Sequence, residues 1–532
     1  MKTKWILLFT FVVSTYCINA QSWLWAQSGG ESVGSDFAMG NITDNSGNTY
    51  VTGYYFQTAT FGTYTLTSLG AQDVFILKYD NNGIIQWAKS IGGISTDYGS
   101  KISLDNAGNI YVTGQFSDVV NFGTTTLTSF GWGDVFIAKY DPNGIESWVQ
   151  QAGGIDNSET GNDVAVDNNG NVYIAGGYTS TSVNFSGTTL TNSGSALYTN
   201  DLFIAKYDAL GNLSWAISPV GTGSEGVTKL AIDSNGDLLA FGSFSTDITL
   251  GATTYTSAGS TDLVLMKYNA VGTVSWAKQM GGANMDLGYG IALDSQDNIL
   301  LTGGFSGTAT FGGNTLTTAG IYNELYLLKL DPSGNDIWHK QQAATSNNVG
   351  ISVKVNSNND VYLASDFNGT AQVGSSSYIS SGSGDLYIVK YNSSGTKLWS
   401  IQGGGNNFDD MRDMSLDPSG NVYISGRYRN TATYGVSTIT STGSDDVFLA
   451  KLQDPTASIN EFTTSNFSIY PNPSDKEIIF SDYLDSYSVV NNIGLTICEI
   501  NSSANSFNTA QLSPGFYYLK TDSGVYKFSV DH

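Results

Sequence analysis

Seven tryptophans, Trp25, Trp87, Trp148, Trp215, Trp276, Trp338 and Trp399, recur at spacings of 62, 61, 67, 61, 62 and 61 residues. A fixed period of this size marks a repeat architecture, in which each unit hides its apolar faces only by stacking on its neighbours. The clearest copy reads DYGSKISLDNAGNIYVTGQF, then NFGTTTLTSFGWG, then DVFIAKYDPNGIESWVQQAGG, ending at Gly154. It holds four short strands: A (KISLD), B (NIYVTG), C (DVFIAKY) and D (IESWVQQ), with an FG-containing excursion between B and C. Strand C starts at Asp73, Asp134, Asp201, Asp262, Glu324, Asp385 and Asp446, and strand A closes at Asp44, Asp105, Asp167, Asp233, Asp294, Asn356 and Asp417. Four strands per unit is the content of a propeller blade. With 62 Gly, 31 Tyr and 8 Pro, the composition suits short strands and tight turns rather than long helices. The fold class is therefore all-β, a seven-bladed β-propeller.

The two ends of the repeat array predict how the ring closes. After residue 20 the chain opens with WLWAQSGG, a strand D without its A, B and C, and the last repeat stops at DVFLAKL, a strand C without its D. Joined, they complete one blade and remove a sheet edge that would invite aggregation. This N-/C-terminal strand closure sets Trp25 beside Phe448.

Recurring polar residues read as scaffold. Asp-x-x-Gly occurs between A and B (Asp105 to Gly108) and between C and D (Asp141 to Gly144), where Asp accepts hydrogen bonds from turn amides and Gly supplies a positive φ. Calcium is the rival at Asp44-Asn45-Ser46-Gly47-Asn48, but the further acidic positions and the distal Glu of a calcium loop are missing, so no cofactor is expected. The Trp on each strand D suits packing against the next blade. Lys78, Lys139, Lys206, Lys267, Lys329, Lys390 and Lys451 close strand C in every copy, matching an ion pair with the strand-A Asp or a solvated strand end.

On these motifs the chain resembles the secreted propeller-repeat (SBBP-like) family, whose units read like GSGxDxAxxIAVDSxGNVYVTGxT. The match runs over residues 21–452 through Asp-x-x-Gly-Asn, Tyr-Val-Thr-Gly and the trailing Trp. It departs at Asn359-Asp360, where Gly is absent, and at Ser365, where the strand-B Gly is replaced. The Trp placement also resembles the docking Trp of quinoprotein propellers, which implies a redox-cofactor alternative.

Lys2 and Lys4, the apolar run Ile6 to Val13 and the small-residue end Ile18-Asn19-Ala20 form a signal peptide over 1–20. No other segment approaches the ~18 apolar residues of a membrane span. Its removal takes two of 22 basic and none of 46 acidic residues, so 20 − 46 leaves −26. Such a charge repels phosphate backbones and argues against nucleic acid as a partner. Cys17 leaves with the signal and Cys498 remains alone, which excludes an intramolecular disulfide and a Cys-based metal cage.

In a four-stranded meander the A–B and C–D turns share one end, and the longer B–C and D–A connections share the other. The second face is therefore the expected carrier of function. It holds the SALYTND insertion with Tyr198 and the atypical Trp132, Tyr322, Phe408 and Arg412 as candidate ligand-binding residues. Exposed aromatics beside Asn and Asp suit stacking on sugar rings. With only His339 and His532 in the mature chain, a Ser-His-Asp triad and a His-rich zinc site lack material, and no catalytic or metal residues are assigned. Paired carboxylates for glycoside chemistry would be sought at Asp409-Asp410 or Asp286.

After Leu452, residues 453–465 read as a polar linker and 466–532 as a small β-sandwich. The latter resembles the type IX secretion sorting domain of Bacteroidetes, through Tyr470-Pro471-Asn472-Pro473, Gly494, Leu512 and Gly515-Phe516-Tyr517. Its ending, Val530-Asp531-His532, is more acidic than usual. The resemblance implies the type IX machinery as partner, a secreted or outer-surface location, and, after tail cleavage, either release or attachment to lipopolysaccharide. The expected function is adhesion or binding of a glycan or protein without catalysis. The alternatives are a polysaccharide-active glycosidase or lyase using carboxylates on the variable face and, more distantly, a quinoprotein-like redox protein.

Overall fold

The computed structural model describes residues 21–31, 34–194, 199–454, 469–484, 486–491, 496–500, 503–521 and 524–531. The signal peptide, Tyr198, Gly494 and most of the linker lie outside them. The described residues form strands and turns without a helix. The chain divides into two compact units, Met1–Thr456 and Ala457–His532.

In the first unit, seven antiparallel four-stranded units follow one another. Their innermost strands are Phe37–Thr43, Tyr98–Leu104, Glu159–Val166, Glu225–Ile232, Leu287–Leu293, Asn348–Val355 and Asp409–Leu416. Each of these strands contacts the next, and the seventh contacts the first. Strands B and C are apolar on both faces because each blade is covered on both sides: Ile110–Phe116 and Asp134–Tyr140 are buried almost throughout. The opening strand Ser22–Gly30 pairs with Asp446–Gln453, aligning Trp25 with Lys451 and Ser28 with Phe448, and so supplies strand D of the seventh blade.

Five of the strand-D Trp residues, Trp25, Trp148, Trp215, Trp338 and Trp399, bond into the next blade. The ring of Trp148 meets Tyr111 of its own blade edge-on at 6.1 Å, and its Nε1 donates to the Ala209 carbonyl in the next blade's C–D turn. Trp25, Trp215 and Trp338 repeat this with Asn81, Ala270 and Ser393. Edge-to-face pairs of this kind contribute about 1 kcal/mol each beyond their buried area. The C–D turn comes so close that a Cβ at Gly211 would lie 2.8 Å from the Trp148 ring. Blade seven has no continuous C–D turn, and there Asp454 accepts the Trp399 Nε1 at 2.9 Å and the Lys390 Nζ at 2.6 Å. Asp454 is buried and Gln453 pairs with Ser22, so the propeller continues two residues beyond Leu452.

The excursion between B and C is a β-hairpin that reaches the preceding blade. Hairpin Ser182–Phe185/Thr188–Thr191 pairs Phe185 with Ala152 on strand D of the blade before it. The same link recurs at Gly281↔Thr310, Gly404↔Thr433 and Gly29↔Phe61. The Phe of the FG motif drives this, since Phe122, Phe185 and Phe311 are fully buried.

The second unit has two sheets, one of three strands and one of four. They enclose Ile478, Phe480, Val489, Leu519 and Phe528. Asn472 anchors the Tyr-Pro-Asn-Pro segment: its Oδ1 accepts from the Ser529 amide and hydroxyl, and its Nδ2 donates to the Lys527 carbonyl. Tyr517 donates to the Ser513 carbonyl and stacks on Phe528, while Tyr470 is exposed.

Candidate functional site

Every innermost strand carries a β-bulge at the same place, one residue being skipped in the pairing with strand B. The skipped residues are Met39, Ser100, Asn162, Thr228, Tyr289, Ile351 and Arg412, each five positions before the residue that closes strand A. A bulge turns its extra side chain out of the sheet. All seven line one cavity of about 580 Å³, together with Tyr98, Asp366, Phe408, Asp409 and Asp410. The backbone thus repeats sevenfold while the chemistry at the bulge differs in every blade.

Blades six and seven concentrate the charge. The chain's three arginines are Arg412, Arg427 and Arg429. Arg412 Nη2 donates to Asp410 Oδ2 at 2.5 Å and Arg427 Nε to the same oxygen at 3.1 Å. Arg427 lies between the rings of Phe37 and Phe408, at 4.2 and 4.9 Å from their centroids, and Arg429 pairs with Asp445 at 2.8 Å. Asp366 is in hydrogen-bonding contact with Asp410; burial and then the neighbouring carboxylate push its carboxyl well above the usual range. Arg412 Nε has no hydrogen-bond partner, and its side chain is 39% exposed.

Of the candidate residues, the cavity brings together Phe408 and Arg412. Trp132 and Tyr322 sit on B–C loops, 70% and 46% exposed, and do not line it. Tyr198 lies outside the described residues.

The carboxylates sought for glycoside chemistry divide. Asp286 and Asp409 belong to a repeated set, eight positions before the strand-A closing residue: Asp36, Asp97, Glu159, Glu225, Asp286, Asn348 and Asp409. Asp286 accepts the Gly282 amide at 2.8 Å and Asp409 the Gly405 amide at 2.6 Å, so both clamp a D–A loop. Burial pushes Asp36, Asp97, Glu159, Asp286 and Asp409 up to about 7 and Glu225 up to about 8. Asp410 is different, because it faces Asp366 and two arginines.

On the opposite face the Asp-x-x-Gly turns satisfy their own carboxylates. Asp44 Oδ1 accepts the Ser46 and Asn48 amides and Oδ2 the Asn48 Nδ2. Lys267 pairs with Asp233 at 2.6 Å and Lys329 with Asp294 at 2.8 Å. Asn359 and Asp297, standing where the other five copies have Gly, adopt φ +62° and +60°, which Asn and Asp tolerate better than most residues with a Cβ. Among the described residues, no three of His, Cys, Asp and Glu gather where a metal could be held.

Residues 86–115 and 147–184 match the beta-propeller repeat, and residues 468–530 match the secretion system C-terminal sorting domain. The chain carries beta-propeller repeats and a type IX secretion sorting domain. That tail marks the chain as an exported protein of the outer cell surface. It is 24% identical to an uncharacterised WD repeat-containing protein of Acanthamoeba polyphaga mimivirus, over 81% of this chain and 38% of that one. It is 31% identical to the regulatory protein FlaEY of Caulobacter vibrioides, over 29% of this chain and 17% of that one. The chain thus spans less than two fifths of either relative's length. Among solved structures it is similar to PorZ, a surface component of the type IX secretion system of Porphyromonas gingivalis, at 9% identity and a TM-score of 0.26. That alignment covers 95% of this chain and all of PorZ. It is also similar to an ulvan lyase at 12% identity and a TM-score of 0.31, over 79% of this chain and 86% of that one.

Proposed function

We propose that the exported propeller acts by binding, with the axial cavity and its rim as a receptor for a surface or extracellular glycan or protein. The observation that carries this reading is the ring of seven unlike bulge residues around one chamber: the scaffold repeats and the contact surface does not. Tyr98, Tyr289 and Phe408 offer ring faces inside the chamber, and Arg412 a free donor. After export the tail is cleaved and the propeller is held through lipopolysaccharide.

The second reading is an enzyme acting on polysaccharide. It is favoured by Asp366 and Asp410, two carboxyls in contact at the chamber wall, where burial and Asp410 raise Asp366 and two arginines engage Asp410. A glycan array with the exported protein, followed by a turnover assay on every hit, separates the two. Binding without turnover supports the receptor; turnover abolished by Asp366→Asn replaces it with the enzyme.

A further inference from the structure

Beneath the chamber a second cavity of about 260 Å³ continues between the innermost strands, and Lys229 lines both. Its wall carries Lys101, Lys229 and Lys354 with Asp163 and Asp413. Both carboxylates are already engaged. Asp413 accepts the Asn41 amide at 3.0 Å and pairs with Lys101, and Asp163 accepts the Leu230 amide at 2.6 Å. Lys229 and Lys354 make no ion pair or hydrogen bond from Nζ among the described residues.

The consequence is a pocket of surplus positive charge inside a chain of formal net charge −24. Burial pulls Lys354 down to about 8; Asp413 and Asp163 oppose this, while Lys101 and Lys229 add to it. Lys229 is lowered by burial and then by Lys101. Against burial, Lys101, Lys354 and Lys229 hold Asp413 down to about 2. Two half-buried ammonium groups without a partner face one void, and an anion entering it would pair with both. Nothing in propeller packing calls for them: the equivalents of Lys229 are Gly40, Gly290 and Ser352 in three other blades.

We propose that the lower axial cavity binds an oxyanion, with Lys229 and Lys354 donating to it and Arg412 marking the entry above. The chemistry recognised is a carboxylate, sulfate or phosphate group, free or borne by an acidic saccharide that occupies the chamber. The inference rests on the binding reading only in using the same axial cavity.

The test is thermal unfolding and calorimetry of the exported protein with sodium sulfate, sodium phosphate, glucuronate or a glucuronate disaccharide, each against chloride at matched ionic strength. An oxyanion is expected to raise the Tm and bind with measurable heat, and both effects fade as pH rises through about 8, where Lys354 loses its proton. Lys229→Met and Lys354→Met each weaken binding by about tenfold or more, the usual loss of a charge-assisted hydrogen bond. Lys340→Met, on an outer strand, leaves it unchanged. The disaccharide binding more tightly than the free ions assigns the group to a saccharide; equal binding assigns the site to the free ion. No oxyanion-specific effect in the wild-type protein overturns the proposal even if a variant fails to fold. Retention of binding in both folded variants also overturns it. If the array finds neutral glycans while the salts do nothing, this inference falls and the receptor reading stands.

Discussion

The repeated acid clamp makes a prediction opposite to that for a carboxylate paired with a cation. Asp286 is almost wholly buried, its Oδ1 has no partner, and burial lifts it from 3.8 to about 7. A folded-state pKa above the unfolded one means the folded protein holds the proton more tightly. The stability it brings is full below the unfolded pKa and is lost as pH climbs toward 7. With a shift of about three units, linkage gives a total loss of about 4 kcal/mol, of which about 2 kcal/mol falls between about pH 5.5 and about pH 8. Blade six already carries the neutral form, because Asn348 occupies the same position and donates to the Gln342 carbonyl at 3.0 Å. Asp286→Asn is therefore expected to be more stable than the parent at about pH 8, and the gap to close by about 2 kcal/mol on acidification. Near 430 residues at about 2.1 cal/mol/K each, that is about 2 °C in Tm, and a urea midpoint at both pH values reads it more directly. The double difference cancels the general repulsion of an acidic surface. Equal destabilisation at both pH values would refute the reasoning, because it would mean Asp286 is ionised in the fold and held by its amide contact alone.

Other outcomes follow from the packing. Asp454→Ala removes the acceptor of Trp399, Lys390 and Tyr362 and should destabilise by about 3 kcal/mol; urea titration followed by Trp fluorescence checks it. Gly303→Ala puts a Cβ 1.8 Å from the Leu287 carbonyl oxygen, whereas Gly320→Ala meets nothing, so only the first should lower Tm, by several degrees. Asn472→Ala releases the Tyr-Pro-Asn-Pro segment from the last strand and should leave more precursor in the cell, as immunoblots of cells and medium would show.

Much of the propeller was legible in the sequence because its signals are local and periodic. The Trp period, the Asp-x-x-Gly turns and the alternation of four strand types each depend on residues a few positions apart. Ser365 shows the limit of such reading. As a departure from Gly it looked like a local fault, but its hydroxyl bonds Asn348 Oδ1 at 2.8 Å, so it stands with another departure, Asn in place of Asp. The FG excursion was visible, but not its pairing with the preceding blade. Of the cavity lining, only Phe408, Asp409, Asp410 and Arg412 stood out as candidates. The signal for the rest was a column of unlike residues five positions before each strand-A Asp, which has no meaning until a bulge is known to lie there.

Sequence alone determined the all-β class, the repeating unit, the export tail and the polarity of each turn, since those follow from backbone preference and short-range spacing. Only the tertiary structure decided that seven skipped residues converge on one chamber, that Asp286 and Asp409 hold loops while Asp410 meets Asp366, and that Lys229 and Lys354 share a void. Those relations join residues up to hundreds of positions apart. The chain does not encode them as any neighbouring pattern; they arise when the ring closes and brings the seven innermost strands around one axis.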